Sequence, residues 1–104
     1  MPATREAAVV RAIMAWLKSQ PGVLVRKLHG SEFAVAGDPD LYGSWRGKFF
    51  TFEVKRPGGP GPTPLQKLRL EEWRKAGAVV GVVRSVDDVR ALLEGQAGDD
   101  GIIP

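Results

Sequence analysis

Phe49-Phe50-Thr51-Phe52-Glu53-Val54-Lys55 is the stretch on which the fold turns. Phe50, Phe52 and Val54 alternate with Thr51, Glu53 and Lys55, so one face of a strand is apolar and the other is set toward solvent. The next six residues, Pro57-Gly58-Gly59-Pro60-Gly61-Pro62, cannot hold regular structure and read as a loop. Thr63-Pro64-Leu65-Gln66 then opens a helix, with a cap residue, Pro at the first position and Gln at the third. That helix is expected to run to Ala76, burying Leu65, Leu68 and Trp73, and Gly77 suits a left-handed stop. Val79–Val83 reads as a buried strand from its continuous apolar run. Strand, helix and strand make a right-handed crossover with the two strands parallel.

Working toward the N-terminus, Thr4 to Ser19 reads as a helix. Glu6, Val10, Ile13 and Leu17 share one of its faces, and Val9, Met14 and Trp16 widen that stripe. Gln20-Pro21-Gly22 ends it. Two strands are expected next, Val23–Leu28 and Phe33–Ala36, around a turn at Gly30-Ser31. Gly37-Asp38-Pro39-Asp40 bends the second, because Pro39 has no ladder donor. Toward the C-terminus, Ser85 caps a last helix carrying Val89, Leu92 and Leu93 and stopped by Gly95. Residues 96–104 read as a mobile tail, with Ile102 and Ile103 able to dock. The order α-β-β-β-α-β-α describes one α/β domain over residues 1–95, with a mixed sheet flanked by helices.

Composition narrows the chemistry. The chain has 104 residues and is 43% hydrophobic, enough for one core and too short for two domains. It has no cysteine and one histidine, His29, which excludes disulfides, thiolate chemistry and any ordinary structural zinc site. His29 reads as a surface or strand-end residue. No apolar run approaches the roughly 18 residues of a membrane span. Arg5, Glu6 and Arg11 interrupt any signal-peptide core, so a cytoplasmic protein without a membrane partner is expected. Residues 1–86 hold 14 Lys and Arg against 7 Asp and Glu, a balance of +7, whereas residues 87–104 carry −4. A basic body with an acidic end suits a polyanion, most simply nucleic acid.

Asp40 raises the stakes at the central strand. If Ala34–Ala36 pairs with Phe49–Lys55, Asp40 approaches Glu53 at the sheet edge. Two converging carboxylates repel unless a cation sits between them, and Mg²⁺ or Mn²⁺ suits an all-oxygen site. Glu6 offers a third carboxylate, although a first-turn Glu also complements the helix dipole. Gln66 likewise has a local role open to it, as the third residue of a capping box. Glu53 and Lys55 alone would be an ordinary solvated pair.

Taken in order, Gly37-Asp38-Pro39-Asp40-Leu41, Phe52-Glu53-Val54-Lys55 and Pro64-Leu65-Gln66 resemble the PD-(D/E)XK nuclease core. The additional Gln and its spacing resemble the VRR-NUC family, in its small stand-alone form. The resemblance implies a restriction-endonuclease-like fold and DNA cleavage that leaves a 5′-phosphate, with a structure-selective habit. It implies one divalent metal held by Asp40, Glu53 and the Val54 carbonyl, with Glu6 reaching it directly or through water. Lys55 would stabilise charge at the nucleophilic water and a phosphate oxygen, and Gln66 would orient Lys55 or the water. Of the two aspartates in the bend, Asp40 matches the family pattern and Asp38 is assigned to the turn.

Arg26, Lys27, Arg46, Lys48, Arg56, Lys67 and Arg74 are available for phosphates, and Trp45 lies in a Tyr42–Lys48 loop that interleaves aromatics with cations. So small a domain offers little grip on branched DNA, and Trp45, Phe49, Ile102 and Ile103 exceed what one small core absorbs. A homodimer on a branched substrate such as a four-way junction is therefore expected. The competing expectations are a non-catalytic nucleic-acid-binding module and a subunit serving a helicase.

Overall fold

The computed structural model describes residues 5–28 and 35–99 of the chain. Its elements are α1 (Arg5–Ser19), β1 (Val23–Lys27), β2 (Leu41–Trp45), β3 (Lys48–Val54), α2 (Pro64–Lys75), β4 (Val79–Val83) and α3 (Val86–Asp99). The strands form one sheet in the order β1-β2-β3-β4, antiparallel across the first three and parallel between β3 and β4. The element order and the parallel crossover are as the sequence predicts.

One face of the sheet is closed by α1 and α3. Val10, Ile13 and Leu17 of α1 meet Val25, Leu41, Phe50, Phe52 and Val54 of the strands, with Val89 and Leu93 of α3 completing the core. Phe50 and Phe52 stack with ring centroids 5.1 Å apart and are fully buried. The other face carries Thr51 and Glu53 and is covered by α2 only over β3 and β4. Tyr42 and Phe49 on that face stay partly exposed, and Trp73 of α2 stacks on Phe49 at 5.2 Å.

The second strand is not where the sequence puts it. It is Leu41–Trp45, whereas Val35 and Ala36 lie in coil and turn, and residues 29–34 fall outside the described residues together with His29 and Phe33. The presumed Tyr42–Lys48 loop is therefore a hairpin. Arg46 and Gly47 form its two-residue turn with φ of 52° and 82°, the doubly left-handed geometry that matches strand twist. An Arg in the first turn position hides a signal that Asn or Asp would have given. Gly43 adds to the disguise, yet it is required there. A Cβ at Gly43 would stand 2.1 Å from the Leu24 carbonyl oxygen and 2.7 Å from the Phe50 ring.

Two further expectations change. Leu65, Leu68 and Trp73 are not buried; Leu70 is the residue of α2 that reaches the interior. The helix covers half a sheet face and so needs only a narrow apolar contact. At the other end, α3 passes Gly95 and continues to Asp99, so residues 96–99 are helical and not tail. Gly95 is tolerated within a helix because glycine costs only about 1 kcal/mol there. Ile102 and Ile103 lie outside the described residues. Among those described, no helix is long and apolar enough to cross a membrane.

Candidate active site

The hairpin brings the two aspartate and glutamate positions together by register. Leu41 pairs with Phe52, so Asp40, one residue earlier, arrives level with Glu53. The Val54 N–H donates to Asp40 Oδ2 at 2.8 Å, and the Leu28 N–H donates to the Asp40 carbonyl at 2.8 Å. Asp40 is thus fixed by β1 and β3 together. The pairing that achieves this is through β2, while Val35 and Ala36 lie in coil and turn and Ala34 falls outside the described residues.

Glu53 is not on a solvent face. It is 2% exposed, because α2 covers that part of the sheet. Burial pushes its carboxyl up to about 8, and the charge of Asp40 and a hydrogen bond with Asp40 push the same way. The Lys55 ammonium, 3.7 Å from Glu53 Oε2, offsets part of this, and Glu6 adds a smaller push upward. Lys55 follows directly on β3, and its N–H donates to the Val83 carbonyl at 3.0 Å, extending the pairing with β4 by one residue.

Gln66 fills the capping role that the sequence opens to it. Its Oε1 accepts from the Thr63 N–H at 2.9 Å and its own N–H donates to Thr63 Oγ1 at 3.1 Å, closing the capping box. The remaining Nε2 donates to Glu53 Oε2 at 3.3 Å. Its partner on the strand is therefore Glu53 and not Lys55. The helix start positions the amide, and the amide positions the carboxylate.

Glu6, Val10, Lys27, Asp40 and Arg56 line a cleft of about 450 Å³ at this end of the sheet. Glu6 faces it from the first turn of α1. Among the described residues no three Asp, Glu or His side chains gather closely enough to form a ready-made metal group. Asp40 and Glu53 supply hard oxygen donors of the kind Mg²⁺ and Mn²⁺ select.

No family model matches the sequence, and no curated protein does. A solved structure described as "VRR_NUC domain" superposes with a TM-score of 0.73 at 38% identity, over 88% of this chain and 97% of that one. The chain belongs to the VRR_NUC family. A second structure, "VRR_NUC domain protein", is 23% identical with a TM-score of 0.67, over 91% of this chain and 89% of that one, and shares the fold. This is a nuclease-type domain, and the mixed sheet with its carboxylates on the bend and central strand agrees with the PD-(D/E)XK core.

The basic residues of this VRR_NUC chain do not converge on one place. Lys27 and Arg56 line the cleft. Arg26 is exposed on β1, and Lys67 is exposed beside Gln66 in the first turns of α2. Arg74 is engaged with Glu71 on the outer face of α2. Trp45, Arg46 and Lys48 sit at the opposite end of β2 and β3, roughly 15 Å from Asp40 at about 3.3 Å per residue. Asp38 belongs to a turn as expected, its N–H donating to the Val35 carbonyl, and its Oδ1 accepts from Trp73 Nε1 at 3.4 Å.

Arg84 is the residue that sequence reading missed. Directly after β4, its guanidinium donates to the carbonyls of Arg56 at 2.6 Å, Gly59 at 3.2 Å and Pro60 at 3.4 Å. It ties down the Pro/Gly loop that follows Lys55. Nothing local marks it, since a lone Arg after a buried strand looks like any surface cation.

Proposed function

We propose that this domain is a divalent-metal-dependent DNA endonuclease that acts on branched DNA, four-way junctions included, and leaves 5′-phosphate ends. The observation that carries the reading is Glu53: a buried carboxylate stands level with Asp40 across the hairpin while a lysine stands 3.7 Å away. Two carboxylates that close must share a proton or a cation, and the oxygen-only donor set fits a hard divalent ion. Asp40 and Glu53 would hold it, with the Val54 carbonyl as a third oxygen and Glu6 reaching it directly or through water. A bound Mg²⁺ or Mn²⁺ supplies Lewis-acid polarisation of the scissile phosphate and a more acidic water.

The chain's own groups do the rest. Lys55 holds the attacking water and a non-bridging phosphate oxygen, stabilising charge that grows in the transition state. Gln66 fixes the rotamer of Glu53, and Lys27 and Arg56 seat phosphates along the cleft. Two copies of the chain would place two such clefts on one branch point and pair the cuts. The partly exposed Tyr42, Phe49 and Trp73 on the half-covered sheet face support that arrangement.

Labelled flaps, splayed arms and four-way junctions incubated with Mg²⁺, Mn²⁺ or EDTA test the reading. Cleavage of branched substrates is expected with metal and none with EDTA. Asp40→Asn and Glu53→Gln should abolish it while DNA binding persists. Cleavage in EDTA, or by either variant at the normal rate, would sink the assignment.

A further inference from the structure

At the far end of the sheet from Asp40, the last turn of α1, the β2–β3 hairpin and α3 enclose a second pocket of about 280 Å³. Trp16, Gln20, Trp45, Arg46, Leu93 and Glu94 are among its walls. We propose that this pocket binds an unstacked nucleobase of the DNA substrate, with the adjoining phosphate on Arg46. The proposal rests on the nuclease reading above and supplies what that reading lacks, a means of recognising unpaired DNA.

The lining matches that ligand chemically. Two half-buried indoles and Leu93 offer flat apolar walls, while the Gln20 amide and the Glu94 carboxylate give a donor and acceptors for a polar ring edge. Among the described residues, Glu94 is engaged only in a long 3.8 Å pair with Arg90. The Arg46 guanidinium lies 4.8 Å over the Trp45 ring, a cation beside a stacking platform. A flat group with polar edges and an attached negative charge is what such a surface recognises.

Arg46 supplies the second, independent observation. Among the described residues it alone has positive φ without being glycine, at 52°. The hairpin turn requires that backbone, but Asn, Asp or Gly would adopt it at lower cost. The turn backbone gains nothing from an arginine there, although the side chain lies on the Trp45 ring. What the arginine adds is charge at the pocket mouth.

Position completes the argument. Along β2, and equally along α1 from Glu6 to Trp16, the pocket stands roughly 15 Å from the cleft. That distance is about four or five stacked nucleotides of one strand. A base inside a duplex cannot enter such a pocket without unpairing, and unpairing has an energetic cost. A base in a flap or at a branch point has already met that cost. The pocket therefore favours substrates with unpaired bases near the cut.

The test uses the full chain carrying Trp73→Phe, which removes the indole outside the pocket, in EDTA so that cleavage plays no part. Indole fluorescence is followed while octathymidylate or an abasic octamer of equal charge is added. Octathymidylate should quench the emission and bind at least about fivefold more tightly than the abasic octamer. Trp45→Ala risks the fold, so Arg46→Asn is the deciding variant: its melting temperature should stay or rise while octathymidylate binding weakens at least fivefold. Equal binding and quenching by both octamers, or a stable Arg46→Asn protein that binds octathymidylate normally, overturns the proposal. Cleavage of branched DNA without base-dependent quenching rejects the pocket alone. Base-dependent quenching without cleavage rejects the nuclease reading alone.

Discussion

The end of β3 and the outer face of α2 are both dense in charge, and they treat it in opposite ways. On α2 the charges satisfy one another in the open. Arg69 pairs with Glu72 at 3.1 Å, and Arg74 Nε donates to Glu71 at 2.9 Å, a contact that holds the Glu71 carboxyl below its ordinary range. At the end of β3, Glu53 is buried against a second carboxylate, and burial and Asp40 together raise it to about 8. The close cation among the described residues, Lys55, stands at 3.7 Å and does not restore the balance. The helix face is complete as it stands. The strand end is complete only with a proton or a cation supplied from outside, which is why chemistry is assigned there and not to the more numerous pairs of α2.

The largest test of that contrast among the cations is Lys55. Lys55→Ala should lower single-turnover cleavage by about 10²–10³-fold, the usual cost of one preorganised electrostatic donor. Arg74→Ala removes a cation of equal charge from α2 and should leave the rate unchanged. If the two variants cut alike, the division between working and solvated charge fails.

Arg84 sharpens the contrast with a smaller effect. It touches no reacting group, so it acts as a positioning residue through the loop after Lys55. Arg84→Gln should slow turnover by about tenfold, because modest misplacement of a catalytic group is enough to cost that much. The loss should fall on kcat with KM little changed, and Arg84→Lys should recover part of it through a single retained donor. A change confined to melting temperature would reduce Arg84 to a structural tie.

The candidate residues stand out in the sequence because each carries a local signal. Asp40 follows a proline bend, Glu53 and Lys55 sit on an unmistakable strand, and Gln66 is at the third position of a capped helix. Their geometry was less legible. Period-two alternation in Phe49–Lys55 marks two faces but cannot say that a helix from later in the chain covers the polar one, and so Glu53 read as solvated. The β2 strand was misplaced because Gly43 and Tyr42-Gly43-Ser44 resemble loop composition, while the turn signal was masked by Arg46. The hairpin therefore carries Trp45, Arg46 and Lys48 to the end of the strands far from the cleft. Leu65, Leu68 and Trp73 fit a buried stripe by spacing, yet how much sheet α2 covers is decided by tertiary packing alone. Arg84 acts across 24 to 28 residues of sequence on backbone carbonyls, which no side-chain motif records.

The smallest effect separates the two regions by pH. Glu53 titrates at about 8 in the folded chain against an ordinary value of 4.5, so between those limits the folded state keeps a proton that the unfolded state has released. Stability is then greatest below pH 4.5 and declines as pH rises toward 8. Glu71 runs the other way, since its lowered value adds stability above the ordinary carboxylate range that is lost in acid, but as an exposed pair its contribution is screened. Melting temperatures of the metal-free protein should therefore fall from pH 5 to pH 8, Glu53→Gln should flatten that fall, and Glu71→Gln should leave it intact. Comparing each variant with the parent cancels groups common to both, His29 and the amino terminus included. Added Mg²⁺ should restore the parent's loss at pH 8 and do little at pH 5, because a cation competes with the proton for the same carboxylate oxygens. Parallel curves for parent and Glu53→Gln would mean that Glu53 is ionised throughout, and the distinction between the strand end and the helix face would go with it.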